Sequence, residues 1–176
     1  SEFALLFKCK RTFCIFYIYF INEIKDCASK KSFCSKYCLD FNKPTILYAP
    51  AWENDGKQND FVQSMLELDV NILIKQWDAD PDKFPSQVEN VHRMKELHKN
   101  IKNVTILPPS LNIFEAIAVS DILVSEESST MCEAAMMRIP AVSVSNWLIP
   151  DVSPSRFPQC DYDFVVKTTK ENLTDC

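Results

Sequence analysis

The 176 residues suffice for one compact domain and some extra chain, and 47% hydrophobic with 24% charged residues is an ordinary globular composition. The net charge of −5 argues against a general nucleic-acid binder, which needs positive surface to neutralise phosphates. One glycine, Gly56, leaves no room for a GxGxxG or Walker A loop, so a phosphate must meet helix N-termini, hydroxyls or cations instead.

Residues 1–40 are rich in Lys, Cys and aromatics and lack a clean period. Helices are expected around residues 3–25 and 29–38, forming a helical linker or the remnant of a preceding domain. The apolar run FCIFYIYFI (13–21) has nine residues and is preceded by Lys8, Lys10 and Arg11. A membrane span needs roughly 20 apolar residues, so a packing helix or strand is the expectation. The opening Ser-Glu-Phe lacks a start methionine, and the chain is expected to be a piece of a longer protein. Eight cysteines form no CxxC and meet only two histidines, His92 and His98. That pattern does not support zinc; free thiols, no metal and no cofactor are expected.

From residue 41 to 176 the texture becomes that of a Rossmann-like α/β domain. Thr45-Ile-Leu-Tyr-Ala49, ended by Pro50, suits a buried parallel strand. A polar loop follows, then a helical face of Phe61, Met65, Leu66 and Leu68. A second strand covers 70–75. A helix over 88–99 places Val91, Met94 and Leu97 on one face. A third strand at 103–107 stops at Pro108-Pro109. Ser110 can cap a helix over 112–119. A fourth strand lies at 121–125, a helix at 129–137, a fifth strand at 140–144. A late strand at 164–167 and a helical start at Thr169 close the chain. Strands alternating with helices imply a parallel sheet of about five to six strands with helices on both faces. Ligands in such sheets sit beyond the carboxyl ends of strands. The rule selects three loops: 50–56, 76–81 and 125–130.

The third loop, Ser125-Glu126-Glu127-Ser128-Ser129-Thr130, sets hydroxyls beside the free N–H groups of a helix start. A phosphate could accept from both. Plain capping is the competing reading, because Thr130-x-x-Glu133 matches a capping box. Glu126 and Glu127 beside a phosphate cost Coulomb energy, so solvent, an acceptor hydroxyl or a cation is expected at them. Glu133, one turn on, suits ribose hydroxyls. Trp52 suits a base or acceptor pocket or a buried anchor. Lys75, at the end of the second strand, suits a phosphate or a solvated strand end. His92 and His98 lie within a helix, away from the strand ends, and no nucleophile elbow is present.

Thr45-Ile-Leu-Tyr-Ala-Pro-Ala-Trp52, Ser120-Asp-Ile-Leu-Val-Ser-Glu-Glu-Ser-Ser129, Glu133 and Ile139-Pro-Ala-Val-Ser143 together resemble the C-terminal domain of the CDP-glycerol glycerophosphotransferase family, the teichoic-acid-type polymerases. The resemblance covers about residues 39–147. It implies one half of a GT-B fold, with Ser128 and Ser129 holding a nucleotide diphosphate and Glu133 touching the nucleotide. The implied reaction is transfer of a glycerol-phosphate or glycosyl unit from CDP-glycerol or a sugar nucleotide to a hydroxyl acceptor, a cell-wall polymer being one such acceptor. A cytoplasmic protein, with the parent peripheral at the inner face of the membrane, is the implied location. This sequence departs from the family's pattern twice. Gln76-Trp77 replaces an expected His-Pro, and Glu53 stands where a basic residue is common. Both changes remove positive or proton-handling groups, and without the other GT-B half the chain alone is not expected to turn over. A non-catalytic nucleotide-binding or partner-binding module, or an epimerase-like GT-B protein, are the alternatives.

Overall fold

The computed structural model describes residues 27–51, 57–126, 128–145 and 165–175. The expected helix over 3–25, the apolar run at 13–21, Trp52, Glu53, Gly56 and Glu127 lie outside them. In chain order the described elements are α1 (Cys27–Lys36), β1 (Thr45–Tyr48), α2 (Lys57–Met65), β2 (Asn71–Ile74), α3 (Pro85–His98), β3 (Val104–Ile106), α4 (Ile113–Val119), β4 (Ile122–Ser125), α5 (Thr130–Met136), β5 (Ala141–Val144) and β6 (Val165–Thr168). A 3-10 turn over Lys170–Asp175 ends the described chain. The strands form one six-stranded sheet, ordered β3-β2-β1-β4-β5-β6, with every neighbouring pair parallel.

The central strands are apolar on both faces, as a covered parallel sheet requires. Successive side chains alternate between the faces. Leu47, Ala49, Leu73, Leu123 and Ala141 pack on one side with Phe33, Ala116, Ile117, Met131 and Ala134, which come from α1, α4 and α5. Ile46, Tyr48, Ile72, Ile74, Val124, Val142 and Val144 pack on the other with Phe61, Val62 and Met65 of α2 and with Leu173. The expected layering, helices on both faces of a parallel sheet, is what the chain forms.

The scarcity of glycine shows at the helix ends. Cys38 (φ 56) and Arg138 (φ 57) take the left-handed conformation that usually selects glycine after a helix. Leu39 N–H bonds the Cys34 carbonyl and Ile139 N–H that of Ala134, so both ends close by the same 6→1 pattern.

Two details of the expected helices differ. In α3 the buried face is Asn90, Val91, Met94 and His98, while Leu97 is 53% exposed. The i, i+4 step from Met94 falls on His98 rather than Leu97, so a histidine completes the stripe. Leu66, expected on the buried face of α2, lies beyond its last residue and is exposed.

His98 carries a consequence for pH. Its Nδ1 lies 2.9 Å from the Met94 carbonyl, which can only accept, so Nδ1 bears the proton in the neutral ring. Nε2 is buried without a partner. Protonation would strand a donor there, and burial accordingly pushes the imidazole pKa below its ordinary value. A lowered folded pKa means that the unfolded chain binds protons more readily. Stability is therefore full above the unfolded value of about 6.5 and is lost as pH falls toward the folded value. Thermal melts across this range should show wild type losing more midpoint on acidification than His98→Gln; parallel curves would exclude the effect.

Candidate functional site

The strand order reverses direction between β1 and β4, which are neighbours in the sheet but not in the chain. Loops leaving the carboxyl ends of strands at such a switch point part to opposite faces and open a crevice. Topology therefore narrows the three loops expected from sequence to the pair after β1 and β4. Lys75, at the end of β2, stands one strand outside that pair.

The loop after β4 is built locally. Ser128 Oγ accepts from the Thr130 N–H at 3.3 Å and from the Thr130 hydroxyl at 3.0 Å. Ser129, the residue before α5, makes no side-chain cap. The capping box matched by Thr130 and Glu133 does not form: the Glu133 N–H goes to the Ser129 carbonyl, and Glu133 Oε2 is buried with no partner. Burial alone pushes the Glu133 carboxyl above its ordinary pKa. Ser128 and Thr130 are half-buried and Ser129 is exposed, so a hydroxyl cluster faces outward at the start of α5 with an unsatisfied carboxylate oxygen one turn behind it.

Ser125 is fully buried and donates to the Ala49 carbonyl at 2.6 Å, tying β4 to the end of β1. Lys75 is buried too. Its Nζ donates to the carbonyls of Gln76 (2.8 Å) and Pro109 (2.6 Å), joining the loops after β2 and β3. Desolvation by burial lowers its pKa, with Asp78 opposing. The structure thus gathers Ser125, Ser128, Ser129, Thr130 and Glu133 in one strand–loop–helix and sets Lys75 apart.

Glu126 departs most from expectation. Solvent does not meet it: the residue has no exposed surface. Oε2 accepts from the Tyr48 hydroxyl at 3.2 Å and Oε1 from the Ala51 N–H at 2.7 Å. Burial and the neighbouring carboxylate push the Tyr48 hydroxyl well above its ordinary pKa. Register held the signal. Tyr48 pairs with Val124, and Glu126 lies two residues further on, hence on the same face. Gln76 is a second residue to which sequence gave no such role: it is buried, and its Oε1 has no partner. Among the described residues no group of three or more His, Cys, Asp or Glu is placed to hold a metal, and no helix is long and apolar enough to cross a membrane. Cys34, Cys38 and Cys132 are free thiols.

No family model and no curated protein matches the chain. Solved structures do. A variant of the wall teichoic acid polymerase TagF soaked with CDPG superposes at TM-score 0.62 and 16% identity, over 88% of this chain and 36% of that one. A glycosyltransferase from Rickettsia africae gives 0.61 and 19%, over 85% and 40%. The UDP-GlcNAc 2-epimerase of Methanocaldococcus jannaschii gives 0.58 and 13%, over 90% and 44%. The chain thus spans less than half the length of each of these structures. At such identities the likeness establishes the fold: a Rossmann-like α/β domain of the kind found in GT-B glycosyltransferases.

Proposed function

We propose that this chain is the nucleotide-binding domain of a transferase that moves a glycerol-phosphate or glycosyl unit from a nucleotide-activated donor, CDP-glycerol foremost, to a hydroxyl acceptor such as a cell-wall polymer. The observation that carries the reading is the hydroxyl cluster of Ser128, Ser129 and Thr130 at the carboxyl edge of β4, beside the reversal of strand order. Hydroxyls there donate to diphosphate oxygens, and the free oxygen of Glu133 accepts from a ribose hydroxyl. Ser125 and Lys75 hold the neighbouring loops in place, and Trp52, which follows β1 in the sequence, is our proposed lining of a base or acceptor pocket. In glycerol-phosphate transfer the acceptor oxygen bonds to the donor's distal phosphorus as its bond to the bridging oxygen breaks, and the nucleoside monophosphate leaves. Positioning and charge neutralisation at the leaving phosphate carry such a step. The remainder of a longer protein would supply the acceptor site and the proton-handling group, and the parent would act at the inner face of the cytoplasmic membrane.

Calorimetric titration with CDP, CDP-glycerol and UDP-sugars tests this. Ser128→Ala and Ser129→Ala should each weaken the preferred ligand by about tenfold, the worth of a hydrogen bond to a charged oxygen. Absence of binding by the intact protein sinks the reading, as does wild-type affinity in both variants. A second reading, a binding module without transfer, is favoured by Gln76 at the place of the expected histidine. Nucleotide binding without transfer by the full-length protein would select it.

A further inference from the structure

We infer that Glu126 is a positioning residue for the candidate phosphate loop: its carboxylate clamps the loop after β1 to the loop after β4 before any ligand arrives. The inference rests on the proposed nucleotide site for its ligand, but not for its geometry. A carboxylate taken wholly out of water is strongly destabilising unless it is well bonded. Here the two oxygens point in two directions. One takes the backbone N–H of Ala51 beyond β1, the other takes the Tyr48 hydroxyl from within it. The Glu126 carbonyl accepts from Ser143 Oγ of β5 at 3.2 Å, and Ser125 Oγ reaches back to Ala49. Ala49 N–H closes the set by bonding the Val124 carbonyl at 3.1 Å. The ends of β1, β4 and β5 are therefore cross-tied at the switch point, the Glu126 carboxylate holding β1 and the Glu126 backbone carbonyl holding β5. Ser128, two residues beyond it, is the first hydroxyl of the outward cluster.

Charge cannot be what this residue contributes toward a phosphate, because like charges at close range repel. Acceptor geometry is. A glutamine keeps one acceptor for the Ala51 N–H, and its amide N–H can donate to the Tyr48 hydroxyl oxygen, so it should preserve the clamp, whereas a short side chain should release it. Glu126→Ala therefore serves as the disrupting variant, Glu126→Gln as the conservative one, and Tyr48→Phe removes a single donor in case Glu126→Ala does not fold.

Two readouts separate the clamp from the ligand: hydrogen exchange at the Ala51 amide, and the CDP titration. In folded Glu126→Ala the Ala51 amide should exchange at least about tenfold faster, because its acceptor is gone. CDP affinity should fall about tenfold in Glu126→Ala and about threefold in Tyr48→Phe, with Glu126→Gln recovering most of the loss. Wild-type Ala51 protection and wild-type affinity in Glu126→Ala overturn the inference. So does Glu126→Gln losing as much as Glu126→Ala, since charge and not position would then be the contribution. Failure of wild type to bind CDP would strike the nucleotide reading instead, and the Ala51 exchange would still decide the clamp.

Discussion

Leu123→Ala is expected to destabilise the protein by about 2–5 kcal/mol, the largest single effect in this account. Leu123 is fully buried on β4, between β1 and β5. It belongs to the same core as Leu47, Ala49, Met131, Ala134 and Ala141. Strand neighbours fixed on both sides cannot close in on a missing side chain, so the cavity persists and the cost lies above the bare transfer term. Domains of this size are stable by only about 5–15 kcal/mol, so the loss is a large fraction of the total. Urea unfolding checks it: the midpoint should fall while the slope stays constant. A cost below about 1 kcal/mol would mean that this layer is loosely packed. The same strand leads to Ser128, Ser129 and Thr130, so loosened β4 packing should also weaken the proposed nucleotide binding in the folded protein.

Lys75→Met should cost about 1–3 kcal/mol of stability while changing CDP affinity by less than about threefold. The ammonium is bonded to the Gln76 and Pro109 carbonyls and is almost wholly buried, so its removal orphans two acceptors at the junction of two loops. Its lowered pKa fixes the sign of the pH effect. The folded state releases this proton more readily than the unfolded chain does. The group's contribution to stability therefore rises with pH through the interval below about 10.4 and is least favourable below the folded pKa. Combined unfolding and titration experiments decide the role. A large loss of affinity with unchanged stability would make Lys75 a phosphate contact instead of a loop strut.

The sheet was legible because its strands are short apolar runs punctuated by Pro50, Pro108 and Pro140, signals that do not depend on tertiary context. Strand order was not, since no local pattern says that β4 returns to lie beside β1. That adjacency reduced three candidate loops to two. The roles of individual polar residues were the least legible. Thr130 and Glu133 match a capping box by spacing, yet Ser128 takes the Thr130 N–H first. Glu126 reads as meeting solvent, an acceptor hydroxyl or a cation, because glutamate is seldom fully buried. The Ala51 N–H and the Tyr48 hydroxyl that donate to it lie 75 and 78 positions away in sequence. Leu97 and His98 exchange places for a similar reason: one helical position decides which side chain meets the core, and periodicity alone does not resolve it.

We propose that the loop from β4 to α5 holds the phosphates of a nucleotide. Backbone amide mapping of the isotopically labelled protein during a CDP titration tests it most directly. The largest shifts should fall on Ser128, Ser129 and Thr130, accompanied by smaller ones at Ala51, and all should saturate together. Saturating shifts confined to the amino-terminal edge of the sheet, or none at any CDP concentration, would contradict it.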